Sequence, residues 1–336
     1  MKKTLFWCVI LFIFLTSCIF TAFGDGDLPP PSDIGFVDVS RISAVNFLHN
    51  TTFYDFYAFS SDGIGGITVY NFITPSEPRI VSHNPLPINQ VIRKIEVDWN
   101  YNLFLAAGSA GFYIVSAANL HNLTVTAHDD RVNARDISVW EDYIAVADID
   151  GWRLYRYLGG FNLIEECRYY DYHRPVEPQK IYMDGNWIYV FNRRSLDIFD
   201  VTNTTKVDRV ASFDFPSNFV DFEIIRTGFE KVLAVVTQKH MIFFDILRPL
   251  NTTLIRDPYG FNKTPRAIRY NQGNLYITWE DRDVSVFVIY SLMSITERDE
   301  KSRKQFPQVV SDVDFYRGYV FFTHGTQGIG VYSIVP

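Results

Sequence analysis

SLDIFDV, residues 195–201, is the stretch on which the fold turns. It reads apolar, any residue, apolar, then apolar or aromatic, and it follows a polar turn. The same pattern, usually after a Gly or a polar turn, recurs as GITVYNF (66–72), GFYIVSA (111–117) and GWRLYRY (151–157). It continues as HMIFFDI (240–246), DVSVFVI (283–289) and GIGVYSI (328–334). The second apolar positions are Val69, Ile114, Leu154, Ile198, Phe243, Val286 and Val331, at intervals of 45, 40, 44, 45, 43 and 45. A self-similar period of about 40 to 45 residues marks a four-stranded propeller blade.

Each period holds the other strands a blade requires. Upstream of each anchor lies a shorter alternating segment: VNF at 45, IEV at 95, ISV at 137, IYM at 181, FEI at 222, IRY at 268 and VDF at 313. Tight-turn residues such as DGN (184–186) and NQGN (271–274) follow, as hairpins require. No segment keeps a helical period over 12 residues. Seven periods of about 44 residues need about 308, and 312 residues run from Asp25 onward. The expected fold is all-β: a seven-bladed β-propeller of four-stranded antiparallel blades. A ring leaves no long exposed sheet edge. The seventh repeat ends at its third strand, so GFVDVS (35–40) is expected to supply the missing outer strand and close the ring.

Composition agrees. Apolar residues make up 47% and charged residues 21%, which is a globular balance. Aromatics reach 16%, and aromatic richness favours strands. The formal charge is −7, or −9 without Lys2 and Lys3. An acidic body without a basic run excludes nucleic acid as the expected partner and electrostatic adhesion to anionic lipid as the expected membrane contact.

The N-terminus carries a targeting pattern. Lys2 and Lys3 precede an apolar run over residues 5–15, then small Thr16 and Ser17. This reads as a signal peptide over 1–17, too short to span a bilayer comfortably. Leu15-Thr16-Ser17-Cys18 resembles the lipobox of bacterial lipoproteins. The resemblance implies a lipid on Cys18, membrane attachment through that lipid and residence in the bacterial cell envelope. Ile19, where Asp would signal inner-membrane retention, implies the outer membrane. Cleavage before Asp25, after Ala22-Phe23-Gly24, is the alternative and implies a secreted or periplasmic chain. The acidic, Pro-rich DGDLPPPSD (25–33) then belongs to a flexible tether over 18–34, ahead of the propeller at 35–336. Of three cysteines only Cys167 lies in the body, so an intramolecular disulfide is not expected. The sequons at Asn50, Asn122, Asn203, Asn251 and Asn262 read as coincidence in such a protein.

SLDIFDVTNTT (195–205) and GITVYNFITPSEP (66–78) resemble the LVIVD repeat, with Asp200 and Asp245 at its Asp position and Pro75 and Pro78 at its paired prolines. That family forms exported bacterial β-propellers, many of them lipoproteins. GWRLYRYLGG (151–160) lacks both the Asp and the prolines.

Loops joining second to third strands, together with interblade loops, gather on one face of a propeller. Here they collect Asp148, Asp150, His173, Arg193, Arg194, His240, Glu280, Asp281 and His324, the candidate binding face. Loops are polar in any protein, which is the competing reading for each residue. Asp148-Ile149-Asp150-Gly151 begins like a calcium loop but lacks the third ligand and the closing Glu. No His or Cys spacing suits zinc. No phosphate loop or nucleophile elbow occurs, and no cofactor is expected. Glu96, Glu223 and Asp314 occupy equivalent inner-strand positions, where paired carboxylates would suit acid–base work. Arg269, at the same position, is expected to neutralise them. Trp99, Trp152 and Trp187 suit sugar faces or the blade core, and the core is the expected place. The expected role is a binding or scaffold module for a protein or glycan partner. The alternative is a polysaccharide- or ester-acting hydrolase with a polar site on the loop face of the propeller.

Overall fold

The computed structural model describes residues 35–170, 177–227, 230–255, 258–288 and 300–335. They form seven antiparallel sheets around one axis, the expected seven-bladed propeller. Blades 1 to 6 span 48–85, 94–129, 136–170, 178–214, 219–260 and 265–305. In each, the strands run from channel to rim in chain order. The third strands are the repeats that reveal the period. They are buried on both sides, which is why they read as apolar runs. The outer strand of blade 5 comes in two pieces, Thr253–Leu254 and Tyr259–Gly260, with Pro258 between them unable to donate to the ladder.

Blade 7 closes the ring. Asp312–Tyr316, Tyr319–Thr323 and Ile329–Val335 are its first three strands, and the N-terminal strand Gly35–Ile42 is the fourth. The ladder is antiparallel, from Gly35 opposite Val335 to Ile42 opposite Ile329. A periodic irregularity identifies it as a true fourth strand. In blades 1, 2, 3, 4 and 6 the outer strand holds one extra residue (Val81, Thr126, Glu166, Val210, Lys301) beside the anchor of the third strand. The N-terminal strand holds its extra residue, Val39, beside the anchor Val331. Such a bulge raises the local twist. The turn glycines repeat in the same way. A Cβ on Gly111 would lie 2.1 Å from the Asp129 carbonyl oxygen, and one on Gly328 would lie 1.9 Å from that of Ile42. Only glycine permits this approach.

Each interface between neighbouring blades holds one apolar cluster. Flat rings fill the wedges: Phe191 stacks on Phe222 at 4.1 Å, and Trp152 meets Phe199 edge-on at 5.2 Å. The Asp of the repeat has a local role. Asp200 and Asp245 accept the N–H groups of Thr202 and Leu247 at 2.8 and 2.9 Å, and Asn71 accepts that of Ile73 at 2.8 Å. These Asx turns lead the third strand into the next loop.

One expectation is corrected. The first inner strand is Leu48–Tyr54, not the VNF segment at 45–47. Val45 and Asn46 belong to the interblade loop, where the Asp62 carboxylate takes both their N–H groups, at 3.0 and 2.7 Å.

Two faces result. The loop face carries the second-to-third turns and the interblade loops. The hairpin face carries the first-to-second turns and the third-to-fourth loops, and Gly35 begins its strand there.

Candidate functional site

The inner strands bring their charged residues together round the axis in two tiers. The tier nearer the loop face contains Asn50, Lys94, Asp136, Lys180, Asp221 and Asp312, from blades 1, 2, 3, 4, 5 and 7. Blade 6 has Ala267 there, but Arg269 reaches in from the second tier. From blade 2 to blade 7 the charges therefore alternate: Lys, Asp, Lys, Asp, Arg, Asp. Strict alternation cannot close on seven blades, and the neutral Asn50 stands at the odd place.

Direct contacts bind part of this ring. Lys180 reaches Asp221 at 2.5 Å, and Arg269 joins Asp221 at 2.7 Å to Asp312 at 2.6 Å. Blades 4 to 7 are thus linked by ion pairs. Burial alone would raise the Asp221 carboxyl, but Lys180 and Arg269 hold it down at about 2. Asp136 lies between Lys94 and Lys180, and burial raises it.

The second tier holds Thr52, Glu96, Ser138, Tyr182, Glu223, Arg269 and Asp314. Glu96, Glu223, Asp314 and Arg269 do share one level, as their spacing implies. Glu96 pairs with Lys94 at 2.9 Å. Arg269 directs its guanidinium to Asp221 and Asp312, so Glu223 and Asp314 feel it only through space. Burial pushes Glu223 up to about 7 and Asp314 up to about 6. The channel beside these tiers opens into a cavity of about 250 Å³ lined by Lys94, Glu96, Lys180, Asp221, Glu223 and Arg269. It can hold water, a proton or a small polar molecule.

The loop-face candidates are placed differently. Asp148 is buried; it accepts the Asn133 and Ile149 N–H groups and pairs with Arg153 at 3.1 Å. That use makes it a turn-holder, not the first ligand of a calcium loop. His324 is buried against Phe306 and Phe322, and burial first, then Arg41, lowers it to about 4. His240 faces Ser217 at 3.2 Å, and Asp281 pairs with Lys263 at 2.5 Å. Arg194 donates to the Pro216 carbonyl. Asp150, Arg193 and Glu280 are exposed. His173 lies outside the described residues, as does Cys18. None of the eight described candidates lines the channel cavity. Among the described residues, no group of three or more His, Cys, Asp or Glu side chains is arranged to hold a metal. Cys167 is half-buried, and burial pushes its thiol up to about 11, so it carries no thiolate at neutral pH.

No family model matches the chain, and no curated protein matches its sequence. Solved structures do match its shape. The β-propeller domain of Myceliophteria thermophila Cps50 (Swd1) superposes with a TM-score of 0.69 at 12% identity, covering 90% of this chain and 100% of that one. The Neurospora crassa Pan2 WD40 domain gives 0.66 at 10% identity, covering 91% and 97%. The computationally designed Ika8 protein gives 0.63 at 10% identity, covering 88% and 99%. The chain shares the fold of WD40-type propellers. At such identities the likeness concerns the fold alone.

Proposed function

We propose that this chain is an exported propeller, held at a bacterial envelope membrane by lipid on Cys18, and that it serves as a binding or scaffold module for a protein or glycan. The observation that carries the binding role is the division of its polar groups. Lys180, Asp221, Arg269 and Asp312 in the channel, and Asp148 with Arg153 in a turn, are spent on one another. Exposed Asp150, Arg193 and Glu280 stand outward on a loop face held rigid by the ring. Anchoring is supported by the lipobox-like Leu15–Cys18, and membership of an envelope family by the LVIVD-like segments. The tether would join the propeller at Gly35, on the hairpin face, which leaves the loop face free to turn towards solvent. At roughly 3.4 Å per extended residue, a 17-residue tether over 18–34 spans up to about 58 Å.

Two measurements test this. A photo-reactive residue at Arg193 should yield a discrete adduct in intact envelopes, and one at Asn186 on the hairpin face should not; equal labelling from both faces would refute the loop-face role. Mass spectrometry should find a diacylated Cys18 at the mature N-terminus. A chain beginning at Asp25 would replace anchoring by secretion.

One observation favours the hydrolase reading: Glu223 and Asp314, with carboxyls near neutrality, are poised for proton transfer. Turnover of a polysaccharide or ester that survives purification and is lost in Glu223→Gln would favour it over passive binding.

A further inference from the structure

Tryptophan in this chain was expected between blades, and Trp152 and Trp279 are buried there. Trp99 is not; it is 76% exposed. It sits in the hairpin turn between the first two strands of blade 2, on the hairpin face. A single exposed ring is ordinary, but Trp99 shares one cleft with exposed Leu158, and a contiguous apolar surface with a polar rim marks a binding site.

The turn that presents it is fixed. The Asp98 carboxylate accepts the N–H groups of Asn100 and Asn102 and the Asn102 side-chain amide, each at 2.8 Å. The Asp98 N–H donates to the Asn102 carbonyl at 3.0 Å. The indole is therefore offered with little backbone freedom left to lose on binding.

Beside it lies a cleft of about 610 Å³ between blades 2 and 3, within the range of small-ligand sites. Leu158, also about half exposed at 53%, continues the apolar surface. Asn100 and Glu141 line the opposite chemistry: exposed side chains with no partner among the described residues. Asp142 contributes a carboxylate whose Oδ2 is held by Arg156 at 2.6 Å. No Lys, Arg or His lines the cleft among the described residues.

We propose that this cleft binds a neutral sugar ring of a glycan, stacked on Trp99. The proposal goes beyond the loop-face reading: it adds a second site, on the hairpin face and at blades 2 and 3, away from Asn186 in blade 4. A pyranose has an apolar C–H face and a rim of hydroxyls. The indole matches the face. Glu141, Asp142 and Asn100 supply acceptors, and Asn100 also donors, for the rim. With no cation among the described lining residues and Arg156 committed to Asp142, the carboxylates of Glu141 and Asp142 disfavour phosphate or carboxylate sugars. The same carboxylates disfavour burying Trp99 in a bilayer, because they would have to be desolvated with it.

The test uses the full chain in native gels containing hydroxyethyl cellulose, soluble starch or a soluble β-1,3-glucan. At least one should retard it. Trp99→Ala should weaken that binding by about tenfold or more, Glu141→Gln should weaken it less, and both should melt like the parent. The Trp99 emission, taken as the difference between parent and Trp99→Ala, should change with that polysaccharide and stay unquenched by vesicles carrying brominated acyl chains. No retardation by any of the three, or equal retardation of Trp99→Ala, overturns the proposal. Quenching by the vesicles overturns it in favour of membrane contact. Loop-face adducts at Arg193 without retardation would sink the sugar site and leave the binding module standing.

Discussion

The Asp136 carboxylate accepts the backbone N–H of Ile181 at 2.9 Å, across the gap between blades 3 and 4. The free edge of an inner strand is thus capped by a side chain of the preceding blade. Asn50 does the same for Ile95 at 2.8 Å, and Asp221 for Ile268 at 3.1 Å. Unpaired edge groups are costly when buried. Every second blade here supplies the missing acceptor.

Asp136→Ala should therefore leave the Ile181 N–H unsatisfied and lower stability by about 1–3 kcal/mol. Asp136→Asn retains an acceptor and should lose less, although it removes the negative charge between Lys94 and Lys180. Urea midpoints decide the matter. Equal losses in both variants would assign the effect to charge and not to capping.

Arg269 joins Asp221 to Asp312, so Arg269→Met strands Asp312 and leaves Asp221 with Lys180 alone. Removing one partner of a buried pair costs about 3–5 kcal/mol. Arg269→Lys cannot reproduce the two-pronged geometry and should fall between parent and Met. If denaturation shows Lys and Met equal, geometry and not charge is what the ring requires.

The carboxyls without a direct cation give a pH signature. Glu223 titrates at about 7 in the folded chain and at about 4.3 when unfolded. The folded state binds more protons in that window, so this group's contribution to stability falls as pH rises from about 4 to 7 and is flat above. Asp314, at about 6, acts in the same direction. His324, lowered to about 4, acts in the opposite one: its contribution is complete above about 6.5 and lost as pH falls towards 4. The informative quantity is the difference between Glu223→Gln and parent. That difference should grow in the variant's favour from pH 4 to 7 and then level off. A difference independent of pH would show that Glu223 is not held protonated.

The third strands were legible because burial on both sides forces apolar residues at a constant place in each blade. The inner strands were harder. Leu48–Tyr54 includes Asn50 and Thr52, polar because they serve the next blade's backbone, while Val45 and Phe47 in the loop before it imitate an alternating strand. The ring of charges leaves only a faint trace in the sequence. Lys94, Asp136, Lys180, Asp221 and Asp312 each stand one residue before the inner apolar segment. Their alternation of sign has meaning only once the blades are set round an axis. Trp99 departs from the expected core place for a related reason: composition predicts aromatic wedges, but a hairpin tip has no neighbouring blade to fill.

Ring closure gives the last prediction. The strand Gly35–Ile42 is bound to three blades. It forms a seven-pair ladder with Ile329–Val335. Lys304 of blade 6 donates to the Phe36 carbonyl at 3.0 Å, and Ser40 donates to the Pro75 carbonyl of blade 1 at 2.6 Å. Phe36 packs on Phe322 and Tyr276 at 5.4 and 6.4 Å, and Arg41 reaches the Tyr332 hydroxyl at 3.2 Å. A chain beginning at Ser43 keeps blades 1 to 6 whole but exposes the Ile329–Val335 edge, and exposed edges invite aggregation. It should lose several kcal/mol, a large share of the stability of any domain, or aggregate on concentration. Phe36→Ala, which keeps the ladder and removes only the ring, should lose about 2 kcal/mol, less than a fully buried Phe because Phe36 is only half-buried. Adding a peptide of residues 35–42 to the shortened chain should raise its melting temperature, and above the dissociation constant the rise should follow the logarithm of peptide concentration. If the shortened chain melts like the parent and ignores the peptide, the N-terminal strand is an ornament on an already closed ring.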